Sequence, residues 1–203
     1  MSISKVGVIG AGTMGNGIAQ ACAVVGVPVV MIDINDAALQ RGLATVGGSL
    51  DRLVKKDKLS AAARQAALDL ISVGTDYALL ADCQLVIEAA TENEALKFDI
   101  LKKLDALLPA ETLLASNTSS ISITRLAAVT QRADRFIGMH FFNPVPMMAL
   151  VEVIRGLQTS DATHKAVVTL AERLGKTPVS VKNAPGFVVN RILVPMINEA
   201  LFV

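Results

Sequence analysis

Val6-Gly7-Val8-Ile9-Gly10-Ala11-Gly12-Thr13-Met14-Gly15 is the stretch from which the rest of this 203-residue sequence becomes readable. A short β-branched run ends at glycines, as a buried strand does when the chain must turn sharply. Met14 to Val25, immediately after, carries a helical pattern. The spacing GxGxxG is weak evidence alone. Between a strand and a helix it becomes the fingerprint of a dinucleotide site. Gly10 permits the tight turn, Gly12 lets the backbone approach a pyrophosphate, and Gly15 lets helix and strand pack closely. The helix start offers free N–H groups and a partial positive charge to the phosphates. Residues 10–15, with Ala11, Thr13 and Met14 filling the loop, are therefore the expected cofactor contacts.

Asp33 lies where a second strand, Val27 to Ile32, should end. A carboxylate there accepts hydrogen bonds from a ribose 2′-hydroxyl and repels a 2′-phosphate. Ile34-Asn35-Asp36 supplies no arginine to receive such a phosphate, so NAD is favoured over NADP. A glycine turn that merely caps a strand would leave Asp33 without a role. A flavin could use the same fingerprint.

Outward from this unit, strands and helices alternate. Helical patterns cover Asp36 to Lys58, Ala61 to Leu68, Glu94 to Leu107 and Asp161 to Leu174. Strand candidates are Ile71 to Val73, Leu85 to Ile87, Leu113 to Ala115, Phe136 to Met139, Leu150 to Ile154 and Pro178 to Val181. Alternation of this kind implies parallel βαβ units: an α/β, Rossmann-type, doubly wound and mostly parallel sheet. Asn183-Ala184-Pro185-Gly186 is the clearest boundary signal. It divides a nucleotide-binding domain, residues 1–184, from residues 185–203. That tail reads as one helix, Phe187 to Val203, apolar around most of its wheel. Such a helix is expected to be covered on most sides, and Pro195 is expected to bend it. One Rossmann domain can cover only one side, so the tail should self-associate or fray unless something else covers it.

Composition narrows the function classes. With 52% hydrophobic and 18% charged residues the chain is globular, not disordered. A net charge of +1, without a basic stripe interleaved with aromatics, gives nucleic-acid binding no support. Cys22 and Cys83 are far apart, which suits a reducing compartment and predicts neither a disulfide nor a metal site. The start lacks the pattern of an export signal, and Ile18 to Ile32 is too interrupted to span a bilayer. A cytoplasmic protein with no membrane role is expected.

Only two histidines occur. His164 sits among polar neighbours on an amphipathic helix and reads as a solvated surface residue. His140 follows the Phe136–Met139 strand, in Gly138-Met139-His140-Phe141-Phe142-Asn143-Pro144. Oxidising a secondary alcohol requires a base for the hydroxyl proton while hydride leaves for a nicotinamide, and imidazole suits that task. Glu152 stands inside the apolar run Leu150-Val151-Glu152-Val153-Ile154. A buried carboxylate needs a partner, and an imidazole would satisfy it and be oriented by it. The residue types equally allow a core histidine and a solvated edge-strand acid.

Several ordered blocks carry a resemblance: GAGTMG at 10–15, EAATENEALK at 88–97, SNTSS at 116–120, GMHFFNPVPMMALVEVI at 138–154 and KNAPGFVVNR at 182–191. Together they resemble the 3-hydroxyacyl-CoA dehydrogenase family over essentially the whole chain, most closely its single-function 3-hydroxybutyryl-CoA members. The resemblance implies reversible NAD-dependent oxidation of an (S)-3-hydroxyacyl-CoA, with His140 as general base and Glu152 orienting it. It implies that Ser119 lies close to the substrate hydroxyl and the nicotinamide, and that Asn190 contacts substrate. It adds Asp33, Glu92, Lys97, Ser119 and Asn143 as NAD contacts, and Ser49 and Lys56 as contacts of the CoA moiety. Plainer alternatives stand beside these. Glu92 and Lys97 could be an ordinary helix pair. Asn117 and Ser119 could cap a following helix. Lys56 could be the solvated end of one. Family members carry a second, helical domain of roughly a hundred residues, through which they dimerise, so a homo-oligomer is expected. This sequence reaches only its first helix. A related dehydrogenase of a hydroxy acid such as gulonate, and a catalytically idle NAD-binding module, remain as alternatives.

Overall fold

The computed structural model describes residues 2–203. Its elements, in chain order, are β1 (Val6–Ile9), α1 (Thr13–Val24), β2 (Val29–Ile32), α2 (Asp36–Lys55), α3 (Ala61–Asp69), β3 (Ile71–Gly74), β4 (Leu85–Glu88) and α4 (Glu94–Leu107). There follow β5 (Leu113–Ser116), α5 (Ile123–Ala127), β6 (Phe136–Phe141), β7 (Leu150–Arg155), α6 (Asp161–Arg173), β8 (Thr177–Lys182) and α7 (Val189–Ala200). The strands form one sheet in the order β3-β2-β1-β4-β5-β6-β7-β8. All neighbours are parallel except β6 and β7. The expected doubly wound α/β fold is the one adopted. Growth of the sheet reverses direction between β1 and β4, and ligands of such sheets bind in the crevice outside the carboxyl ends at that point.

Strand residues alternate between the two faces, as the period of a β-strand requires. Val6, Val8, Met31, Ile87, Ile137 and Met139 pack under one helical layer, with Ile18 of α1, Leu50 of α2 and Val167 of α6. Ile9, Val30, Ile32, Val86, Phe136 and Ile154 face the other, with Leu101 and Leu104 of α4 and Leu126 of α5. The fingerprint glycines are spent on geometry. Gly10 has φ +103°, and a Cβ on Gly15 would lie 1.7 Å from the carbonyl oxygen of Gly10.

Differences from the expected elements have local causes. β2 begins at Val29, because Pro28 has no N–H to give a ladder and contributes only its carbonyl, to Val6. α2 stops at Lys55 rather than Lys58. Asp57 takes φ +54°, and the N–H groups of Asp57 and Lys58 turn back onto the carbonyls of Val54 and Leu53, a left-handed helix stop made without glycine. β6 continues through Phe141, so His140 lies inside a strand and does not follow one. α5 and two short 3₁₀ turns, Tyr77–Leu80 and Ala133–Arg135, are too brief for a periodic signal to reveal.

The tail lies largely open on this domain. α7 contains Pro195, starts two residues after Phe187, and none of its residues is buried. Phe187 alone is, at 3% exposure. Among the described residues no helix is long and apolar enough to cross a membrane.

Candidate active site

The nucleotide end comes first. The Ala11 N–H donates to Asp33 Oδ2 at 2.6 Å and the Ile34 N–H to Oδ1 at 2.7 Å, so the fingerprint loop itself orients the carboxylate. A cleft of about 980 Å³ opens beside it, joining Gly12 and Asp33 to Ser49, Lys56 and Asn143. Arg41, Arg52 and Lys58 line the same space. Their cationic groups suit a ligand rich in phosphate. The Ile34–Asp36 segment gave no hint of Arg41, which arrives from the second turn of α2. Met14 packs against the core instead of lining the cleft. The donors, the glycine approach and the ribose carboxylate together fit NAD.

Further along the crevice, at the ends of β4 and β5, the plain helix-pair explanation of Glu92 and Lys97 gives way to a buried network. Lys97 is 1% exposed; its Nζ donates to Glu88 Oε1 at 2.7 Å and Oε2 at 2.8 Å, and lies 3.5 Å from Glu92 Oε2. Glu88, fully buried, also accepts from the Ser116 hydroxyl at 2.6 Å and the Ala90 N–H at 2.8 Å. The ammonium therefore does not face open space. Its reach toward a cofactor runs through Glu92.

Glu92 in turn clamps the loop after β5. Its Oε1 accepts from the Thr118 hydroxyl at 2.5 Å, the Ser119 N–H at 2.8 Å and the Ser119 hydroxyl at 3.1 Å. Burial pushes this carboxyl up, but the bonds from Thr118 and Ser119 and the charge of Lys97 outweigh it and hold Glu92 below the usual carboxylate range. Asn117 does not cap a helix. Its Oδ1 accepts from the Phe141 N–H at 2.9 Å and ties the loop to β6, while Ser122 caps α5.

The antiparallel ladder puts His140 directly opposite Glu152. Cross-strand partners share a face, and here the two side chains meet at 2.8 Å between Nδ1 and Oε2. His140 is 7% and Glu152 1% exposed. Oε1 of Glu152 accepts from the N–H groups of Val188 at 2.8 Å and Val189 at 3.0 Å, the arrangement of a carboxylate. Nδ1 therefore donates, and Nε2 keeps the lone pair that can take a proton. The Phe142 and Phe187 rings flank the imidazole, with centroids at 4.5 Å and 6.0 Å. Asn190 Nδ2 donates to the Ser119 carbonyl at 3.3 Å, so the tail's first turn, the β5 loop and the β6–β7 ladder converge. A buried base held by a carboxylate, beside a dinucleotide crevice, is the equipment of an alcohol dehydrogenation.

A profile of the 3-hydroxyacyl-CoA dehydrogenase NAD binding domain matches residues 5–184. The chain belongs to the 3-hydroxyacyl-CoA dehydrogenase family. It is 52% identical to the 3-hydroxybutyryl-CoA dehydrogenase of Bradyrhizobium diazoefficiens over 98% of its own length and 68% of that relative's. A solved (S)-3-hydroxybutyryl-CoA dehydrogenase from Ralstonia eutropha superposes with a TM-score of 0.97 at 67% identity, over 98% of this chain and 70% of the other. The fatty acid oxidation complex subunit alpha of Colwellia psychrerythraea shares 44% identity over 96% of this chain and 27% of its own. Within the family this chain presents the NAD-binding domain, and NAD is its cofactor.

Sequence reasoning missed Glu88, Arg41 and Lys176. Lys176 donates to the carbonyls of Val145 at 2.5 Å and Met148 at 2.9 Å, stapling the connection that carries Asn143, and burial holds its ammonium below the usual lysine range. An acid closing an apolar strand, Leu85-Val86-Ile87-Glu88, was a readable signal of the kind used for Glu152. The other two had none. His164, read as a solvated surface residue, has one side-chain hydrogen bond among the described residues, between Nε2 and the Ser180 hydroxyl at 2.8 Å.

Proposed function

We propose that this chain carries out the reversible NAD-dependent oxidation of (S)-3-hydroxyacyl-CoA, 3-hydroxybutyryl-CoA foremost, to the 3-oxoacyl-CoA. The buried His140–Glu152 pair, 2.8 Å apart on one face of the β6–β7 ladder, carries this reading. When bound, NAD supplies the hydride acceptor. Nε2 of His140 takes the proton of the substrate 3-hydroxyl as its carbon gives up hydride and the carbonyl forms. Glu152 keeps Nδ1 protonated and offsets the charge of the imidazolium. Ser119, whose hydroxyl Glu92 holds at 3.1 Å, would offer that hydroxyl to the reacting oxygen, and Asn190, bonded to the Ser119 carbonyl, would contact the substrate. Glu92 and Asn143 flank the path of the cofactor, Lys97 acts through Glu92, and Ser49 with Lys56 receives the CoA phosphates. Residues 1–184 form the NAD-binding domain and 185–203 open a helical domain through which the protein would pair with itself, giving a homo-oligomer of the cytoplasm.

The test is reduction of acetoacetyl-CoA followed by the loss of NADH absorbance, on the full-length protein. His140→Ala should lower turnover by about two to four powers of ten, with NADH binding almost unchanged. Near-normal turnover of that variant would overturn the mechanism. Turnover of free hydroxy acids in place of CoA thioesters would favour the gulonate-type reading, and NADH binding without any turnover the idle module.

A further inference from the structure

Glu152 is held from two sides by different parts of the chain. One oxygen faces His140 across the ladder; the other accepts from the N–H groups of Val188 and Val189. Those N–H groups aim at it because the backbone turns through two successive left-handed residues, Gly186 at φ +74° and Phe187 at φ +50°. Glycine takes that conformation freely. A phenylalanine does not, and a bulky residue held there needs surroundings that over-determine it. Phe187 has them. Its ring is 3% exposed, packed in the cluster beneath α4 and α5, with its centroid 6.0 Å from that of His140. The Phe187 N–H closes onto the Ala184 carbonyl at 3.0 Å, and the Arg191 N–H onto the Gly186 carbonyl at 3.0 Å. A Cβ on Gly186 would stand 3.0 Å from the Arg191 nitrogen.

We propose that the Gly186–Phe187 turn is a positioning element of the catalytic pair, fixing the Glu152 carboxylate so that a single oxygen is presented to His140. The terminal torsion of a glutamate is broad and roughly two-fold, so one hydrogen bond to an imidazole leaves the carboxylate free to rock. Two backbone donors on the far oxygen remove that freedom and satisfy lone pairs that are shut away from water. Ring burial thus stabilises the turn, the turn aims the N–H groups, and these set the carboxylate. Phe187 is a positioning residue that acts through Glu152. The inference rests on the reading of His140 and Glu152 as base and orienting carboxylate.

Phe187→Gly and Phe187→Val both delete the ring but differ in backbone, since glycine adopts the left-handed turn freely and a β-branched residue resists it. In the full-length protein, both should lower kcat while the KM values for NADH and acetoacetyl-CoA stay within about twofold. The valine variant should be the slower by about tenfold or more. In a Glu152→Gln background the two should become equal within about twofold, because the group through which the turn acts has lost its charge. Equal kcat for the glycine and valine variants, or effects that simply multiply with Glu152→Gln, would overturn the proposal. Should the valine variant fail to fold, hydrogen exchange decides. The Val188 and Val189 amides should be protected in the parent and exchange at least about tenfold faster in Glu152→Ala; unchanged rates would refute the contact. If Glu152→Gln by itself leaves kcat normal, the functional reading fails and takes this inference with it. If Glu152→Gln is slow but the effects multiply, the inference alone fails.

Discussion

Lys97→Met tests whether the buried network beneath the β5 loop is a charged unit or mere packing. The substitution keeps the length of the side chain and deletes the ammonium that bonds both oxygens of Glu88, at 2.7 Å and 2.8 Å. Glu88, with 0% exposure, is left with the Ser116 hydroxyl and the Ala90 N–H for its charge. Stranding one member of a buried ion pair costs about 3–5 kcal/mol, out of a total stability of about 5–15 kcal/mol. For a domain of this size that is a fall in Tm of about 6–20 °C, read by circular dichroism. Glu88→Leu with Lys97→Met removes both charges, and apolar replacement of a buried pair is often nearly neutral. The Ser116 and Ala90 donors then lose an acceptor, so the double variant should come within about 2 kcal/mol of the parent. Its NADH binding should stay weak even so, because Glu92 has lost the cation 3.5 Å from its own Oε2. A Tm loss below about 3 °C for Lys97→Met, or a double variant no better than the single, would refute the reasoning. Binding that recovers together with Tm would mean that the β5 loop alone places Glu92.

Other outcomes follow from the same geometry. Asp33→Ala should weaken NADH binding by about ten- to hundredfold and narrow the preference over NADPH, since Arg41 lines the same cleft; tighter NADPH than NADH binding by the parent would refute the role of Asp33. Glu92, whose folded carboxyl lies below its unfolded value, contributes its clamp fully above about pH 4.3 and loses it as pH falls through the lower folded value. Protection of the Ser119 amide, relative to its intrinsic exchange rate, should therefore hold at about pH 5 and fall below about pH 4.3, a change that Glu92→Gln lacks. Lys56→Ala should raise the KM for acetoacetyl-CoA a few-fold and flatten its salt dependence, with little change for a thioester lacking the nucleotide; equal changes for both would make Lys56 an ordinary solvated lysine.

The fold was legible wherever a pattern had room to repeat. The strand–glycine–helix opening announced the nucleotide unit, and buried parallel strands announced themselves as continuous apolar runs. α5 and the 3₁₀ turns have no such length, and the end of α2 hinges on a left-handed aspartate that carries no distinctive signal. His140 and Glu152 were legible as residue types, while their partnership required the register of an antiparallel pair that no local pattern encodes. Arg41 and Lys176 were invisible because their roles come from where α2 and the end of α6 lie against other elements. The tail illustrates the converse: its apolar wheel and the inability of one domain to cover it were readable, but nothing in the wheel says that α7 would meet this domain only through Val189 and Asn190.

The two chemical groups of the pair stand on backbone ladders, while the eight residues between the two strands, 142–149, form a connection that borders the cleft with Asn143, Val145 and Met147. The catalytic pair and this border of the cleft are thereby carried by different stretches of chain. Because the ladder, not the connection, sets the distance from imidazole to carboxylate, the side chains beyond Phe142 and Asn143 can change without pulling the pair apart. A lineage built this way can change the side chains that border the cleft one at a time while the imidazole and its carboxylate stay in register. In a designed variant the same division tells the engineer which residues to leave alone and which to randomise.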